Sequence, residues 1–459
     1  MPTAARRVHD EARYASIACG IGSHPIDDSG ASSNVACRTH EKLGKPMNRE
    51  PWDVIVCGAG PAGAAVALLL ARAGRRTALV DAAHFPRQKV CGEFLSAAGC
   101  RALIDLGLGA LVAETPRLQT FQLAVPGGRV LAWRPDRPEQ DDAAALSRWV
   151  LDAALVEAAV AAGATPFFGR RVRDVRIAGG RAEGIAAVAV DDADDVVELR
   201  APLIVAADGR RSQVVRATGR TVGRPRGRIG FKQHVVVDDP TPYAGRLSLH
   251  SLPGGYVGVC PVDERTINLC GTMPKELLHP VHGAIGLALR RWTPPTAPLR
   301  RLLEAPPSAT PAADGVRWST MPDVARQCST PQVDGVLYVG DAQGTIEPLT
   351  GQGMAMALSA APLLVRHVLA ADRRPIDRPR QQAYAAEWHA WFDPPIRAAD
   401  WFGRWLRRPH LVTAAMVGAG LWPPLARAII TTIHRRTCVA VPSVEERDSG
   451  RRRVTRAER

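Results

Sequence analysis

The sequence predicts an α/β fold in which a parallel-sheet domain is interleaved with a smaller antiparallel sheet and followed by a helical tail. An apolar run at 53–57 leads through a glycine turn into a helical pattern. Residues 171–200 and 229–273 alternate as antiparallel strands do, and helical spacing returns from Asp377. With 459 residues, 46% of them hydrophobic, the chain can bury the core of two interleaved domains.

The glycine turn G-A-G-P-A-G indicates a dinucleotide cradle of the Rossmann type. Gly58 permits the tight turn, Gly60 lets the backbone approach a pyrophosphate, and Gly63 lets the following helix pack close to the strand. The phosphates would bind the free N–H groups where Pro61 and Ala62 begin the helix.

The residues after this turn support the same interpretation. A helix predicted over 62–73 ends at Gly74, and a second apolar run over 77–80 ends at Asp81. Asp81 lies 21 residues after Gly60, where an acidic side chain can accept both hydroxyls of an adenosine ribose. The alternative is an ordinary βα unit whose aspartate is solvated.

Charge and cysteine usage restrict the class of protein. The net charge is +14, and only five of the 59 basic residues are lysine. Arginine spread along the chain suits an anionic cofactor or a membrane surface, but we favour compositional bias as its explanation. No basic run is interleaved with aromatic residues, which argues against nucleic-acid binding. The nine cysteines form no C-x-x-C pair or metal spacing, so we expect a reducing, cytoplasmic location without disulfides or a metal.

A loop from His84 to Glu93 reads HFPRQKVCGE and precedes a helix predicted over 94–106. This part of the chain resembles the geranylgeranyl reductase family of flavoproteins, which is related to aromatic hydroxylases and flavin-dependent halogenases. The resemblance lies in a strand, a G-x-G-x-x-G turn and a helix, followed by the motif F-P-R-x-K-x-C-G-E. The resemblance implies bound FAD and a fold like that of p-hydroxybenzoate hydroxylase. It also implies two later motifs, and both are present.

The first later motif is Asp208-Gly209, at the end of the apolar run 204–207. It looks like the D-G motif of flavoprotein hydroxylases. The resemblance implies that Asp208 accepts hydrogen bonds from the ribityl or ribose side of FAD, while Gly209 lets the chain turn.

The second later motif, VGDAQGTIEPLTGQGM, is the most specific signal in the chain. In the family its aspartate binds the ribityl chain. A helix predicted over 355–370 would aim N–H groups and a positive dipole end at the flavin pyrimidine ring, where reduced flavin is negative. The residues that this motif assigns to FAD are Gly340, Asp341, Pro348, Gly351, Gly353 and Met354.

Two further residues are implied near the cofactor. Arg148, on a helix predicted over 146–162, matches a family arginine that reaches FAD, although a solvated arginine fits the pattern equally well. Cys91 matches a cysteine that lies near the flavin in the resembling reductases and is our catalytic candidate. Arg87 and Lys89 would stabilise its thiolate if they point the same way, but a buried structural thiol is an open alternative.

The second sheet is expected to bind the substrate. Lys232 and His234 share one face by the period of two and could line a pocket, or else be solvated. Tyr256 begins the segment YVGVCP, where resembling reductases carry Y-x-W-x-F-P and tryptophan halogenases carry W-x-W-x-I-P. Because Gly258 and Cys260 replace bulky residues, we expect a more open pocket wall, and the halogenase marker is missing.

The tail allows two interpretations. Trp401 to Arg408 carries tryptophans beside arginines, as in a helix that lies in a membrane interface. A C-terminal helical cap that closes the substrate pocket fits equally well. The uncharged run 411–426 is too short and too broken by glycine and proline to span a membrane.

The chain divides into segments that alternate between the two sheets. They are a disordered leader at 1–46, with a natural start possible at Met47; a first FAD-binding segment at 47–170; small antiparallel strands at 171–200; the D-G segment at 201–220; a substrate domain at 221–330; a last FAD-binding segment at 331–372; and C-terminal helices with a disordered basic end at 373–459.

The sequence therefore predicts an FAD-dependent oxidoreductase that acts on a lipophilic small molecule, isoprenoid or polyketide-like. The alternative is a flavin monooxygenase that hydroxylates an aromatic or polyketide substrate, and a halogenase or a non-catalytic flavoprotein fits less well. A second glycine fingerprint is missing from the sequence, so NAD(P)H would bind transiently or a separate flavin reductase would supply electrons.

Overall fold

The computed structural model describes residues 51–126, 128–134, 143–220, 225–295, 297–306, 318–324 and 333–421. The expected leader and basic C-terminal end lie outside these ranges. The α-helices, in chain order, are α1 (Pro61–Arg72), α2 (Ala97–Asp105), α3 (Gly109–Ala113), α4 (Arg148–Ala161), α5 (Gln213–Ala217), α6 (Ile285–Trp292), α7 (Pro298–Glu304), α8 (Gly353–Ala370), α9 (Arg378–Leu406) and α10 (Pro409–Leu421).

The β-strands complete the architecture. They are β1 (Val54–Cys57), β2 (Thr77–Asp81), β3 (Phe94–Leu95), β4 (Arg117–Leu118), β5 (Thr120–Ala124), β6 (Val130–Trp133), β7 (Ala143–Ala145), β8 (Thr165–Phe168), β9 (Arg170–Ala178), β10 (Arg181–Ala189), β11 (Val196–Arg200), β12 (Ile204–Ala206), β13 (Pro225–Val236), β14 (Arg246–Leu252), β15 (Gly255–Pro261), β16 (Thr266–Pro274), β17 (Ser319–Val324) and β18 (Val336–Tyr338).

The first sheet is parallel and has the order β18–β12–β1–β2–β8. It is covered on both faces, which explains why β1 is continuously apolar. Val54 and Val56 pack with helices α1, α4 and α8, whereas Ile55 and Cys57 face the small antiparallel sheet β9–β10–β11. The predicted Rossmann-type domain and the predicted strands within 171–200 are confirmed.

The second sheet has seven strands in the order β17–β13–β16–β15–β14–β5–β6. Helices α6 and α7 cover one face, on which Phe231, Leu269 and Ile285 pack together. Strands β5 and β6 join this sheet although we assigned residues 120–133 to the first FAD-binding segment. Thr120 pairs with Arg246, 126 positions away, and such a distant pairing leaves no local signal.

Two helix boundaries differ from the prediction. Phe94 and Leu95 form β3, paired with Ala145 and Ala144, so the helix predicted from residue 94 begins at Ala97. This backbone pairing between distant segments outweighs local helical spacing. Helix α8 begins at Gly353, two residues before its predicted start.

Helix α8 lies in the core between α1, α2 and α9. Among the described helices it is long and apolar enough to cross a membrane by composition, but 67% of it is buried within the protein. Helix α9 closes this core with the fully buried side chains of Tyr384, Trp388 and Phe392. The Tyr384 hydroxyl donates to the Tyr338 carbonyl oxygen at 2.8 Å, which ties the tail to the edge strand β18.

Trp388→Ala should lower the free energy of unfolding by about 3–5 kcal/mol. The indole is 1% exposed and packs so tightly that a Cβ on Gly344 would lie 2.5 Å from it, so truncation leaves a cavity. Urea denaturation measures the loss. Trp401→Ala on the same helix is the matched control, because Trp401 is 57% exposed and should cost less than about 1 kcal/mol. Equal losses would contradict the placement of α9.

Candidate active site

A cavity of about 3090 Å³ opens between the two sheets. Pockets for drug-sized ligands measure about 300–1,000 Å³, so this cavity has room for a dinucleotide and a second large molecule. The structure brings most of the predicted site residues to its wall: Gly58, Gly60, Pro61, Ala62, Asp81, Cys91, Arg148, Asp208, Gly209, Tyr256, Gly340, Asp341, Pro348, Gly351, Gly353 and Met354.

The glycines of the first turn serve different purposes. A Cβ at Gly63 would collide with the Gly58 carbonyl oxygen, and Gly58 itself has φ +102° and lies against the Ala207 carbonyl. A Cβ at Gly60 would meet only the Arg87 and Arg148 guanidinium groups, at ordinary distances of 3.6 and 3.8 Å. The protein's own packing therefore requires glycine at 58 and 63, whereas the space at Gly60 is open to a ligand. This cradle fits the pyrophosphate of a dinucleotide.

Asp81 stands at the end of β2, as predicted. Its carboxylate accepts hydrogen bonds from the N–H groups of Ala59 at 2.7 Å and Ala83 at 2.8 Å. It thus holds the glycine turn in place, and the predicted contact with a ribose stays a prediction.

Arginines form a cationic wall beside Gly60. Arg148 donates to both carboxylate oxygens of Asp152 at 2.7 Å, and Arg87 lies 3.3 Å from the same carboxylate. Burial acts to lower the pKa of Arg148, but the charge of Asp152 outweighs it and raises this pKa. Asp152 was missed in the sequence, although its position four residues after Arg148 on one helix was a usable signal.

The two later aspartates lie in different surroundings. Asp208 accepts hydrogen bonds at the N-terminus of α5 from Gln213 N–H at 2.7 Å and Val214 N–H at 3.3 Å. Burial raises its pKa, and its Oδ1 is buried without a partner among the described residues. Asp341 pairs with Arg210 at 3.2 Å, and its side chain is 35% exposed. The unpartnered oxygen and the accessible carboxylate are both acceptors that ribityl or ribose hydroxyls can use.

The N-terminus of α8 faces the cavity, as the last motif predicts. Gly351 has φ +64°, and a Cβ there would collide with the Phe94 ring. Gly353 and Met354 follow on the cavity wall. The N–H groups of the first helical turn have no partner within the helix, so they can stabilise negative charge on a bound ring.

A buried ion cluster around Glu93 joins the cofactor side to the second sheet. Lys232 Nζ lies 2.5 Å from Glu93 Oε1, and His234 Nε2 lies 2.6 Å from Oε2. The Arg148 backbone N–H donates to Oε1 at 2.9 Å, and Lys232 also donates to Gln88 at 2.9 Å. Burial acts to raise the pKa of Glu93, but the Lys232 charge and the His234 hydrogen bond lower it to about 2.

The cluster refines the expected roles of Lys232 and His234. They share one face of β13, as predicted, but they bind Glu93 and are not among the residues that line the cavity. Glu93 does line it and is fully buried. The sequence offered a signal that we did not use, since Glu93 is the acidic residue of the C-G-E motif.

Cys91 lies at the junction of these groups. Its sulfur accepts a hydrogen bond from the Glu93 N–H at 3.4 Å and lies 3.9 Å from the Met354 sulfur. Asn268 donates to its carbonyl oxygen at 2.9 Å. The thiol is half-buried and unpaired with another cysteine.

The second sheet forms one wall of the cavity, and the part of the cavity farther from the glycine turn is apolar. Leu249, Gly258, Cys270 and Lys232 lie in one row across four strands. Burial raises the pKa of Cys270, as expected for an inert thiol. Gly258 and Cys260 both line the cavity, and the more open wall expected there stays a prediction. Farther from the glycine turn the cavity is lined by large apolar residues: Phe121, Leu123, Leu131, Trp133, Leu247, Leu249, Phe402, Trp405 and Met416.

The tail caps this apolar end. Ser251 donates to the Leu406 carbonyl oxygen at 2.6 Å, and the Gly254 N–H donates to the Arg407 carbonyl oxygen at 3.1 Å. Arg407 also pairs with the buried Glu347 at 3.1 Å. Of the two interpretations of the tail, these contacts favour the cap.

Comparison with known proteins agrees with this geometry. A family model described as "FAD binding domain" matches residues 51–391. A digeranylgeranylglycerophospholipid reductase of Methanopyrus kandleri is 32% identical over 323 residues, which are 67% of this chain and 77% of that protein. A menaquinone reductase of Mycobacterium tuberculosis is 28% identical over 327 residues, which are 68% of this chain and 75% of that protein.

Among solved structures, a probable FAD-dependent monooxygenase of Pseudomonas aeruginosa shares the fold. It superposes with a TM-score of 0.62 at 20% identity, and the alignment covers 80% of this chain and all (100%) of that one.

Gly60→Val should abolish FAD retention and leave the fold intact, because its side chain fills space that only the ligand needs. The absorbance of purified protein near 450 nm and its circular dichroism measure the two properties. Gly63→Val is the contrasting variant and should fail to fold, since its side chain meets backbone. A yellow Gly60→Val protein with normal flavin content would refute the placement.

Glu93 should stabilise the protein above about pH 4.5, and this contribution should be lost as the pH falls toward 2. Its carboxyl has a folded-state pKa of about 2 against an ordinary value of 4.5, so the unfolded chain takes up the proton first. The loss is about 3 kcal/mol. Urea titrations between pH 5 and 3 should show a shallower decline for Glu93→Gln than for the natural protein, and identical slopes would contradict the buried pairing.

Proposed function

Because the chain belongs to the family defined by this FAD binding domain, we propose that it is an FAD-dependent oxidoreductase whose substrate is a lipophilic small molecule, isoprenoid or polyketide-like. One observation carries the proposal. A single cavity has the glycine cradle at one end and a wall of aromatic and aliphatic side chains at the other.

FAD supplies hydride transfer or oxygen activation when bound. In our proposal Gly60 and the N-terminus of α1 hold its pyrophosphate, Asp81 binds the adenosine ribose and Asp341 the ribityl chain. The N-terminus of α8 would stabilise negative charge on the flavin ring. The chemistry of these groups supports the assignment, because each is a backbone N–H or a carboxylate on the cavity wall.

The reaction that we favour is reduction of a carbon–carbon double bond. The relatives named above are reductases of a digeranylgeranyl lipid and of menaquinone, and the apolar wall of this cavity suits such a chain. A reduction needs one proton for each hydride. Cys91 is the candidate group at the wall, since it lies against Met354 at the start of α8.

Electrons must reach the flavin from outside the chain. We propose NAD(P)H as a donor that binds transiently, because the sequence has one glycine fingerprint and the cavity already contains it. A separate flavin reductase is the other source. Both fit a cavity that is large and open to solvent.

A flavin monooxygenase is the second candidate. Gly258 on the cavity wall favours it, because a glycine leaves room for a bulky aromatic ring where resembling reductases carry a tryptophan. The fold shared with the Pseudomonas protein is compatible with this chemistry.

The substrate would enter from a membrane surface. Trp401 lines the cavity and is also 57% exposed, so it stands at the mouth. Arg404 and Arg408 are exposed on the same segment, as is Leu411 at the start of α10. Aromatic residues beside cations suit peripheral contact with anionic lipid on the cytoplasmic side.

Stopped-flow mixing with oxygen separates the two reactions. The protein is reduced anaerobically with dithionite and mixed with oxygenated buffer, with and without geranylgeraniol as the alkene probe. We expect direct reoxidation without a C4a-adduct absorbing near 370–390 nm, and saturation of the probe under anaerobic conditions. A transient adduct without alkene saturation would instead establish the monooxygenase, and the absence of both would leave a non-catalytic flavoprotein.

A further inference from the structure

Glu93 has an unusual backbone conformation for its residue type. Its φ of +55° lies in the left-handed region, which favours glycine. Such a residue is strained and persists only where surrounding contacts fix it. Here the carboxylate is fixed by Lys232, His234 and the Arg148 N–H, so the side chain holds the strained turn.

The turn aims a hydrogen-bond donor at the Cys91 sulfur. The Glu93 N–H points to this sulfur at 3.4 Å, while Asn268 holds the carbonyl oxygen of Cys91 from β16. Asn268 thus fixes the backbone of Cys91 and the Glu93 N–H binds its sulfur, so the direction of the thiol depends on the conformation of the residue two positions later.

The same side chain places charge near the thiol. Glu93 carries a negative charge in a fully buried position, and the Lys232 ammonium beside it is equally buried. Arg148, at the start of α4, borders the same carboxylate through its backbone N–H, and its guanidinium pairs with Asp152. Arg87 and Lys89 precede Cys91 in the same loop. On the second sheet, Cys260 pairs with Asn268, which binds the Cys91 carbonyl oxygen, and Cys270 lies on the same strand as Asn268. Charges in such dry surroundings act strongly over short distances.

A purely structural purpose explains this arrangement poorly. A buried ion pair gives little net stability compared with apolar side chains of the same size. Strained backbone and buried titratable groups that meet on a cavity wall are instead typical of functional sites.

We propose that Glu93 is the positioning residue for Cys91: its backbone N–H directs the sulfur at the cavity wall, and its buried carboxylate, paired with Lys232, sets the charge beside that sulfur. This deepens the proposed function, on which it rests for the use of the thiol in the reaction. A carboxylate favours the protonated thiol, and an ammonium group opposes that effect.

The test measures alkylation of Cys91 by iodoacetamide in the FAD-bound, oxidised protein at about pH 8, followed by mass spectrometry of the Cys91 peptide. Only the thiolate reacts. Glu93→Gln should raise the rate about tenfold, because a negative charge is removed. Lys232→Met should lower it at least twofold, because Glu93 loses its counter-charge. Glu347→Gln is the matched control, another buried glutamate paired with arginines, and should change the rate less than twofold.

The opposite signs separate charge from structure. Glu93 and Lys232 share one contact, so loosening of that contact alone would move both rates in the same direction and overturn the proposal. Unchanged rates, or a Cys91 that stays unmodified in every variant, would overturn it too. If Glu93→Gln does not fold, the Lys232→Met variant alone decides. An alkylation rate at or above that of the natural protein would then overturn the proposal. The assay needs no substrate, so failure of alkene turnover would refute the proposed function while leaving this result intact.

Discussion

The buried carboxylate of Glu93 is the interaction on which the site depends. It belongs to the loop that follows the nucleotide-binding turn, yet two of its three partners, Lys232 and His234, lie on β13 of the second sheet. A buried glutamate without partners would be strongly unfavourable, and removing one partner of such a pair typically costs about 3–5 kcal/mol. The loop and the sheet are therefore held together at the cavity, and Cys91 is fixed between them.

The rest of the site follows from the parallel sheet. The carboxyl ends of β1, β2, β12 and β18 meet at one edge, where ligands bind in open α/β sheets. Each strand ends in a residue or turn suited to a portion of a dinucleotide: Gly58 after β1, Asp81 on β2, Asp208 after β12 and Asp341 after β18. The second sheet closes the cavity from the other side and offers apolar surface instead of charge.

The sequence predicted what local patterns determine. The glycine turn, the strands that end in acidic residues and the start of α8 are each encoded within a few consecutive residues, and the structure has them. The edge strands β5 and β6 could not be found in this way, because Thr120 pairs with Arg246 far along the chain. For the same reason, the sequence could not show which residue Lys232 binds. Its period-two pattern showed which face it shares with His234, but its partner lies 139 positions away. Asp152 and Glu93 were accessible to sequence reasoning, since Glu93 belongs to the C-G-E motif and Asp152 lies four residues after Arg148 on one helix.

A double-mutant cycle between Glu93→Gln and Lys232→Met tests most directly whether this pair joins the two sheets. The free energies of unfolding of the natural protein, both single variants and the double variant are measured by urea denaturation at neutral pH. The account predicts a coupling free energy of about 2 kcal/mol or more, because either single change leaves the other group buried without its partner. Losses that add within about 0.5 kcal/mol would contradict it.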